Sequence, residues 1–152
     1  MTVSNIMTKN VITVGPELPL NKLVALLVDQ NISGVPVVDE HGIPIGMVSK
    51  SDIVSEEHDW ADLREEAQNS RRLAGLLVCE GPEPKDERNL DRRTVADVMT
   101  SAALSVLPTA TIREASALMV NHHVHRLTVI DGSARLVGIV TTFDVTRWVA
   151  AN

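Results

Sequence analysis

The sequence predicts an α+β fold in which two pseudo-symmetric β-α-β-β-α units pack sheet to sheet, with a helical insertion between them. Three observations lead there. The chain aligns with itself without a gap when Met7-Thr8 is laid on Met99-Thr100. Within each copy, β-rich runs alternate with stripes of helical period. The residues between the copies have no counterpart. The register also places Pro16 on Pro108, Asp39 on Asp131, Gly46 on Gly138, Val48 on Val140 and Asp52 on Asp144. Chance does not hold one offset over some 55 residues, so the repeat is real. The domains are read as 1–56, a linker at 57–93, and 94–152.

Each copy opens with a short helical lead-in, at 2–7 and 94–99. An extended run follows, VITV at 11–14 and ALSV at 103–106. Next comes an amphipathic helix. In the first copy Pro19 stands at its start, and Leu20, Leu23, Val24, Leu27 and Val28 recur at three- and four-residue spacing. In the second, Thr111 and Glu114 have the spacing of a capping box, and Ile112, Ala115, Leu118 and Met119 form the stripe. Two β-rich runs then pair as a hairpin, VPVVD with IPIGMV and LTVID with RLVGIV, through the turns DEHG and DGSA. A second helix is expected just after Ser49 and Thr141. One such unit has too little core to stand alone, so the two share one, with two equivalent clefts between them. The linker reads as one or two helices followed by an exposed polar loop with two prolines, its charges a solvated face.

Composition narrows the function. Hydrophobic residues make up 44% and charged residues 22%, which is globular and argues against disorder. The aromatics are Trp60, Phe143 and Trp148 alone, too few to stack bases. The net charge is −6, so no nucleic-acid partner is expected. Cys79 is the single cysteine, which excludes an internal disulfide and cysteine-based zinc sites. The first residues lack the basic start and apolar run of a signal peptide, and LVALLV at 23–28 is too short to span a membrane. A cytoplasmic location without membrane association is expected. Nothing supplies a nucleophile with its base, paired carboxylates at a set spacing, or a phosphate-binding glycine loop, so no enzyme is expected.

Gly46-Met47-Val48-Ser49-Lys50-Ser51-Asp52 and Gly138-Ile139-Val140-Thr141-Thr142-Phe143-Asp144 both fit G-h-x-[ST]-x-x-D, where h is hydrophobic. Each follows a β-rich run, and each copy opens with a hydrophobic-Met-Thr start. This pattern resembles a tandem pair of CBS domains, the regulatory repeats of cystathionine β-synthase, over about 110 of the 152 residues. With both repeats assigned, the chain is similar to stand-alone prokaryotic CBS-pair proteins. The resemblance implies binding of an adenosyl ligand (AMP, ADP or ATP, with S-adenosylmethionine second) and relay of that binding to a regulated partner. No obligatory cofactor is implied. The motif has physical sense as well. A carboxylate at a helix start can accept hydrogen bonds from both ribose hydroxyls. A Ser or Thr at the strand-to-helix corner, with the free N–H groups there, can meet a phosphate. The bland alternative is that Asp52 and Asp144 only cap helices.

Carried over from the family, the first cleft holds Ser49, Lys50 and Asp52, faced by Thr100, Ala103 and Leu104 and by Val124, His125, Arg126 and Leu127. The second holds Thr141, Thr142 and Asp144, faced by Thr8, Val11 and Ile12 and by Ser33, Gly34 and Val35. The clefts differ in charge. Arg126 stands where the other copy has Gly34, His125 where it has Ser33, and Lys50 is matched by Thr142. The first cleft is therefore expected to bind the phosphorylated ligand. His122, His123 and His125 lack the spacing of a metal site, and no metal is expected. Phe143 either fills space beside Asp144 or joins the core, the core being favoured. The resemblance also implies a homodimer through helical faces, with Leu23, Leu27, Val145, Trp148 and Val149 as candidates. A purely structural homodimerisation module with vacant clefts is the alternative function.

Overall fold

A computed structural model describes residues 1–53, 92–101 and 103–152, so the expected linker helices fall outside the described residues. Two three-stranded sheets make up the framework. The first runs β1 (Gly34–Val38), β2 (Pro44–Ser49) and β3 (Thr100–Ser101). The second runs β4 (Ser105–Val106), β5 (Arg126–Ile130) and β6 (Leu136–Thr141). Each hairpin is antiparallel, and each slips register at the same place, between Val37 and Val38 and between Val129 and Ile130. The repeat thus extends to a shared irregularity in the ladder.

The helices form where the spacing places them. Leu20–Asp29 starts after Pro19 and buries Leu20, Leu23 and Leu27, all at or below 1% exposure. Each such side chain contributes about 1.5–3 kcal/mol by leaving water. Val28 does not follow the stripe: it lies outward, as does its counterpart Val120. Ile112–Asn121 starts on the expected capping box, with Thr111 Oγ1 accepting from Glu114 N and the Glu114 carboxylate accepting from Thr111 N and Oγ1. Those two donors hold Glu114 below the usual carboxylate range, the backbone N–H contributing most. Residues 50–53 open a helix after β2, and Thr142–Ala151 does so after β6.

Two expectations are corrected. The run at 11–14 is not a strand: Val14 alone bridges Val37, in parallel. Its counterpart does form β4, parallel to β5. The cause is one residue. In β5 the Thr128 N–H donates to the Leu104 carbonyl at 3.0 Å. The matching residue in β1 is Pro36, which has no N–H to give. Leu23 and Leu27 are core residues and cannot serve a dimer face, while Val145 packs partly against the second core.

The core also departs from the sequence repeat. Val3, from the first lead-in, is fully buried in the second core with Leu127, Val129 and Val140. Val95, from the second lead-in, is fully buried in the first core with Leu20, Val37 and Val48. Main-chain bonds hold each lead-in in place: Val3 N to Ala110 O at 2.8 Å, and Val95 N to Leu18 O at 2.9 Å. The two repeats exchange their opening segments, so each core is complete only with both.

Candidate functional site

That exchange builds the two corners. Met47 in β2 pairs with Thr100 in β3, and Ile139 in β6 bridges Thr8. Each Met-Thr pair therefore lies on the strand that ends in the other repeat's motif. The glycine of the motif makes the approach possible. A Cβ on Gly46 would collide with the Thr100 carbonyl and crowd the Met99 thioether; one on Gly138 would meet the Met7 thioether and the Thr8 carbonyl. The family resemblance has Thr100 and Thr8 facing the other repeat's motif; the approach of the preceding methionines to the two glycines is not part of it. The recurrence of Met-Thr and Gly in one register was the available signal.

At the second corner, Thr141 N and Oγ1 both donate to Asp144 Oδ2, at 2.9 and 2.7 Å, and Asp144 N donates back to Thr141 Oγ1 at 3.2 Å. Asp144 is buried. At the first corner, Ser49 N and Oγ donate to Asp52 Oδ2 at 2.7 and 3.0 Å, and Ser49 Oγ also contacts Ser51 Oγ at 2.9 Å. Both aspartates thus do cap their helices. Each bond these carboxylates accept falls on Oδ2, so the other oxygen of each retains capacity to accept, since an ionised carboxylate has about four acceptor sites.

The strand starts meet these corners in the same way twice. Lys50 N donates to Ser33 O at 2.9 Å, and Thr142 N donates to His125 O at 3.0 Å. Gly34 pairs with Ser49, and Arg126 with Thr141. From this position the Arg126 side chain leaves its own sheet. Its Nη2 donates to Ser33 Oγ at 2.9 Å, and its guanidinium lies over Gly34, where a Cβ would collide with it. Partial burial pulls the Arg126 pKa below its ordinary value, and the nearby Asp52 charge raises it in part. The structure thus brings Ser49, Asp52, Thr100 and Arg126 to one region and Thr8, Thr141 and Asp144 to the other.

Other expected residues have different surroundings. Val35 is buried in the first core, and Ile12 packs against it. Leu104 packs on the second core, and its carbonyl also accepts from Thr128 Oγ1 at 3.1 Å. Ala103 is half-buried beside it, its carbonyl accepting from Ser105 Oγ. Lys50, Thr142 and His125 are exposed. Phe143 does not join the core: it is 65% exposed and stacks under Arg147, whose Cζ is 4.8 Å from the ring centre. Trp148 is only partly exposed, and its indole N–H is buried without a partner among the described residues. Among the described residues, no group of three His, Cys, Asp or Glu is placed to hold a metal, and no helix is long and apolar enough to cross a membrane. A cavity of about 450 Å³ lies elsewhere, beside Val14 and Val38; its rim carries Glu17, Asp39 and Glu40, which makes it a poor seat for a phosphate.

The CBS domain family model matches residues 3–59 and 95–151. The chain belongs to the CBS domain family. It is 31% identical to an uncharacterized Methanocaldococcus jannaschii protein, MJ1426, over 95% of this chain and 89% of that one. It is 27% identical to the chloroplastic CBS domain-containing protein CBSX2 of Arabidopsis thaliana, of which it spans 62%. The crystal structure of CBSX2 in complex with AMP superposes with a TM-score of 0.71 at 26% identity, covering 99% of this chain and 96% of that one. The CBS pair of MJ0100, solved with 5′-methylthioadenosine and S-adenosyl-L-methionine, has the same fold, with a TM-score of 0.70 at 23% identity over 98% of this CBS chain and 99% of that one.

Proposed function

We propose that this CBS pair is a regulatory module, not a catalyst, that takes a phosphorylated adenosyl ligand (AMP, ADP or ATP) at the first corner and relays its presence to a partner protein. One observation carries the reading. Arg126 is a partly buried guanidinium whose one hydrogen bond among the described residues goes to a neutral hydroxyl, with no carboxylate there at ion-pair distance. A guanidinium has five donors in a fork matched to phosphate oxygens, and a partly buried cation whose nearby carboxylate, Asp52, is not in contact with it favours an anion beside it. In this reading the free oxygen of Asp52 accepts from the ribose, and Ser49 with the adjoining helix start faces the phosphate. The sulfonium of S-adenosylmethionine would bring a second positive charge to Arg126, so it ranks behind the nucleotides. The AMP complex of CBSX2 is in keeping with this order. Relay requires that the ligand favour one arrangement of the two repeats over another; equal affinity for both would regulate nothing.

The deciding experiment is calorimetry with AMP on the wild type, Asp52→Ala and Asp144→Ala, with thermal shift as the first screen. A ligand at 100 times its dissociation constant adds about 2.7 kcal/mol of stability. Tight binding should survive in Asp144→Ala and disappear in Asp52→Ala; the opposite result reverses the assignment. A second reading, a homodimerisation module with vacant clefts in a cytoplasmic setting, is favoured by the exposed Val28, Val120, Phe143 and Val149. A dimer by sedimentation with no thermal shift from any nucleotide would establish it instead.

A further inference from the structure

The Arg126 side chain stands where the two halves of the molecule meet. Its backbone belongs to the strand beside Thr141, while its head group hydrogen-bonds Ser33 in the first repeat. By the repeat, Gly34 is to Asp144 what Arg126 is to Asp52, the carboxylate whose charge acts on the guanidinium. The guanidinium occupies the space a side chain at Gly34 would need, so the two equivalent strand starts meet at it, with Asp52 the carboxylate whose charge reaches it. Its counterpart in the first repeat, Gly34, supplies no cation. Lys50 is exposed and belongs to the first corner, and Thr142 stands in its place at the second.

We infer that Arg126 is shared by the two clefts, so that the chain holds one adenosyl phosphate tightly and a second only weakly. This rests on the reading above that the clefts take adenosyl phosphates. The bond to Ser33 is a single one to a neutral hydroxyl, and a phosphate offers the same fork two charge-assisted bonds. An anion at either corner therefore draws the guanidinium from Ser33. Once drawn, the fork is absent from the opposite side. The penalty is reciprocal, as any coupling between two binding equilibria must be. An uncharged adenosine makes no demand on the fork and escapes it.

The test is calorimetry on the full chain with AMP and with adenosine. The wild type should bind one AMP tightly and a second about 10- to 100-fold more weakly, the worth of hydrogen bonds to a charged group. Adenosine should enter the AMP-loaded chain without that penalty. Arg126→Gln, a shorter neutral amide that loses both the charge and the fork, should weaken the first AMP until the two sites lie within about threefold. Arg126→Lys, which keeps the charge and loses the fork, should fall between. Two equal, independent AMP sites in the wild type would overturn the sharing, and with it the preference for the first corner, and leave adenosyl-phosphate binding standing. So would an unchanged ratio in both variants, or the same penalty on adenosine as on AMP. A wild type that binds no AMP would remove the proposed function and the sharing together.

Discussion

Outside the missing strand at 11–14, the two repeats place closely similar backbone around different chemistry, and the side-chain differences concentrate where the halves meet. The second corner has a closed reciprocal cap, with Thr141 and Asp144 each donating to the other. At the first, the Ser49 hydroxyl is directed to Asp52 and shared with Ser51. At the strand starts, Arg126 faces Gly34. At the hairpin turns, the Leu136 N–H crosses to the Gly42 carbonyl at 3.0 Å, while Pro44, its counterpart, has no N–H to return the bond. Duplication produced the frame, and single side chains set the halves apart. A symmetric pair would have to place two arginines in the room that one now fills. The asymmetry is therefore built into the packing at the dyad and not confined to the rims of the clefts.

The comparison can be broken hardest in the core. Leu127 and Val35 are equivalent and at most 1% exposed. Leu127→Ala should cost about 2–5 kcal/mol, as large-to-small core changes do, and Val35→Ala less, since fewer buried groups are removed. Urea unfolding of both variants checks the ranking; because the lead-ins are exchanged, each should lower one common transition. Two separated transitions would mean the repeats unfold independently. The caps come next. Asp144→Ala should cost about 1–2 kcal/mol and Asp52→Ala about 0.5–1 kcal/mol, because the buried second cap loses a reciprocal box. Thermal midpoints without ligand measure this directly, and equal losses would remove the distinction between the corners. The smallest effect lies in the turns. Gly42 has φ +78° and Ala134, its counterpart, φ +61°. A Cβ is penalised in this region, so Ala134→Gly should stabilise by about 1 kcal/mol and Gly42→Ala destabilise by a similar amount. Denaturant midpoints for the pair read the sign, and a loss of stability in Ala134→Gly would show that the turn is held by something other than its backbone.

Much of this was legible beforehand. Helix Leu20–Asp29, the capping box at Thr111 and Glu114, both hairpins and the two corners follow from local signals: a stripe of period 3.6, a hydroxyl three residues before a carboxylate, and turn residues between β-rich runs. The failures have non-local causes. The run at 11–14 has the composition of a strand, but Pro36, over twenty residues away, withholds the donor it needs. Val28 continues the apolar stripe by count, but at about 100° per residue it lies off the arc that Leu20, Leu23 and Leu27 bury, and it is exposed. Phe143 looks like core by type, yet its place on the first turn after Thr141 points it to solvent against Arg147.

By itself the amino-acid order determined a duplicated unit, the kinds of its elements and the charge difference between its two motifs, because period, capping and turn chemistry act over a few residues. Only the tertiary structure decided that each lead-in completes the opposite core, and that Arg126 leaves its own sheet to lie against Ser33 and Gly34. Those outcomes depend on which surfaces meet when two incomplete cores close on one another. Burial and steric room at a contact between residues about ninety positions apart cannot be read from either stretch of chain alone.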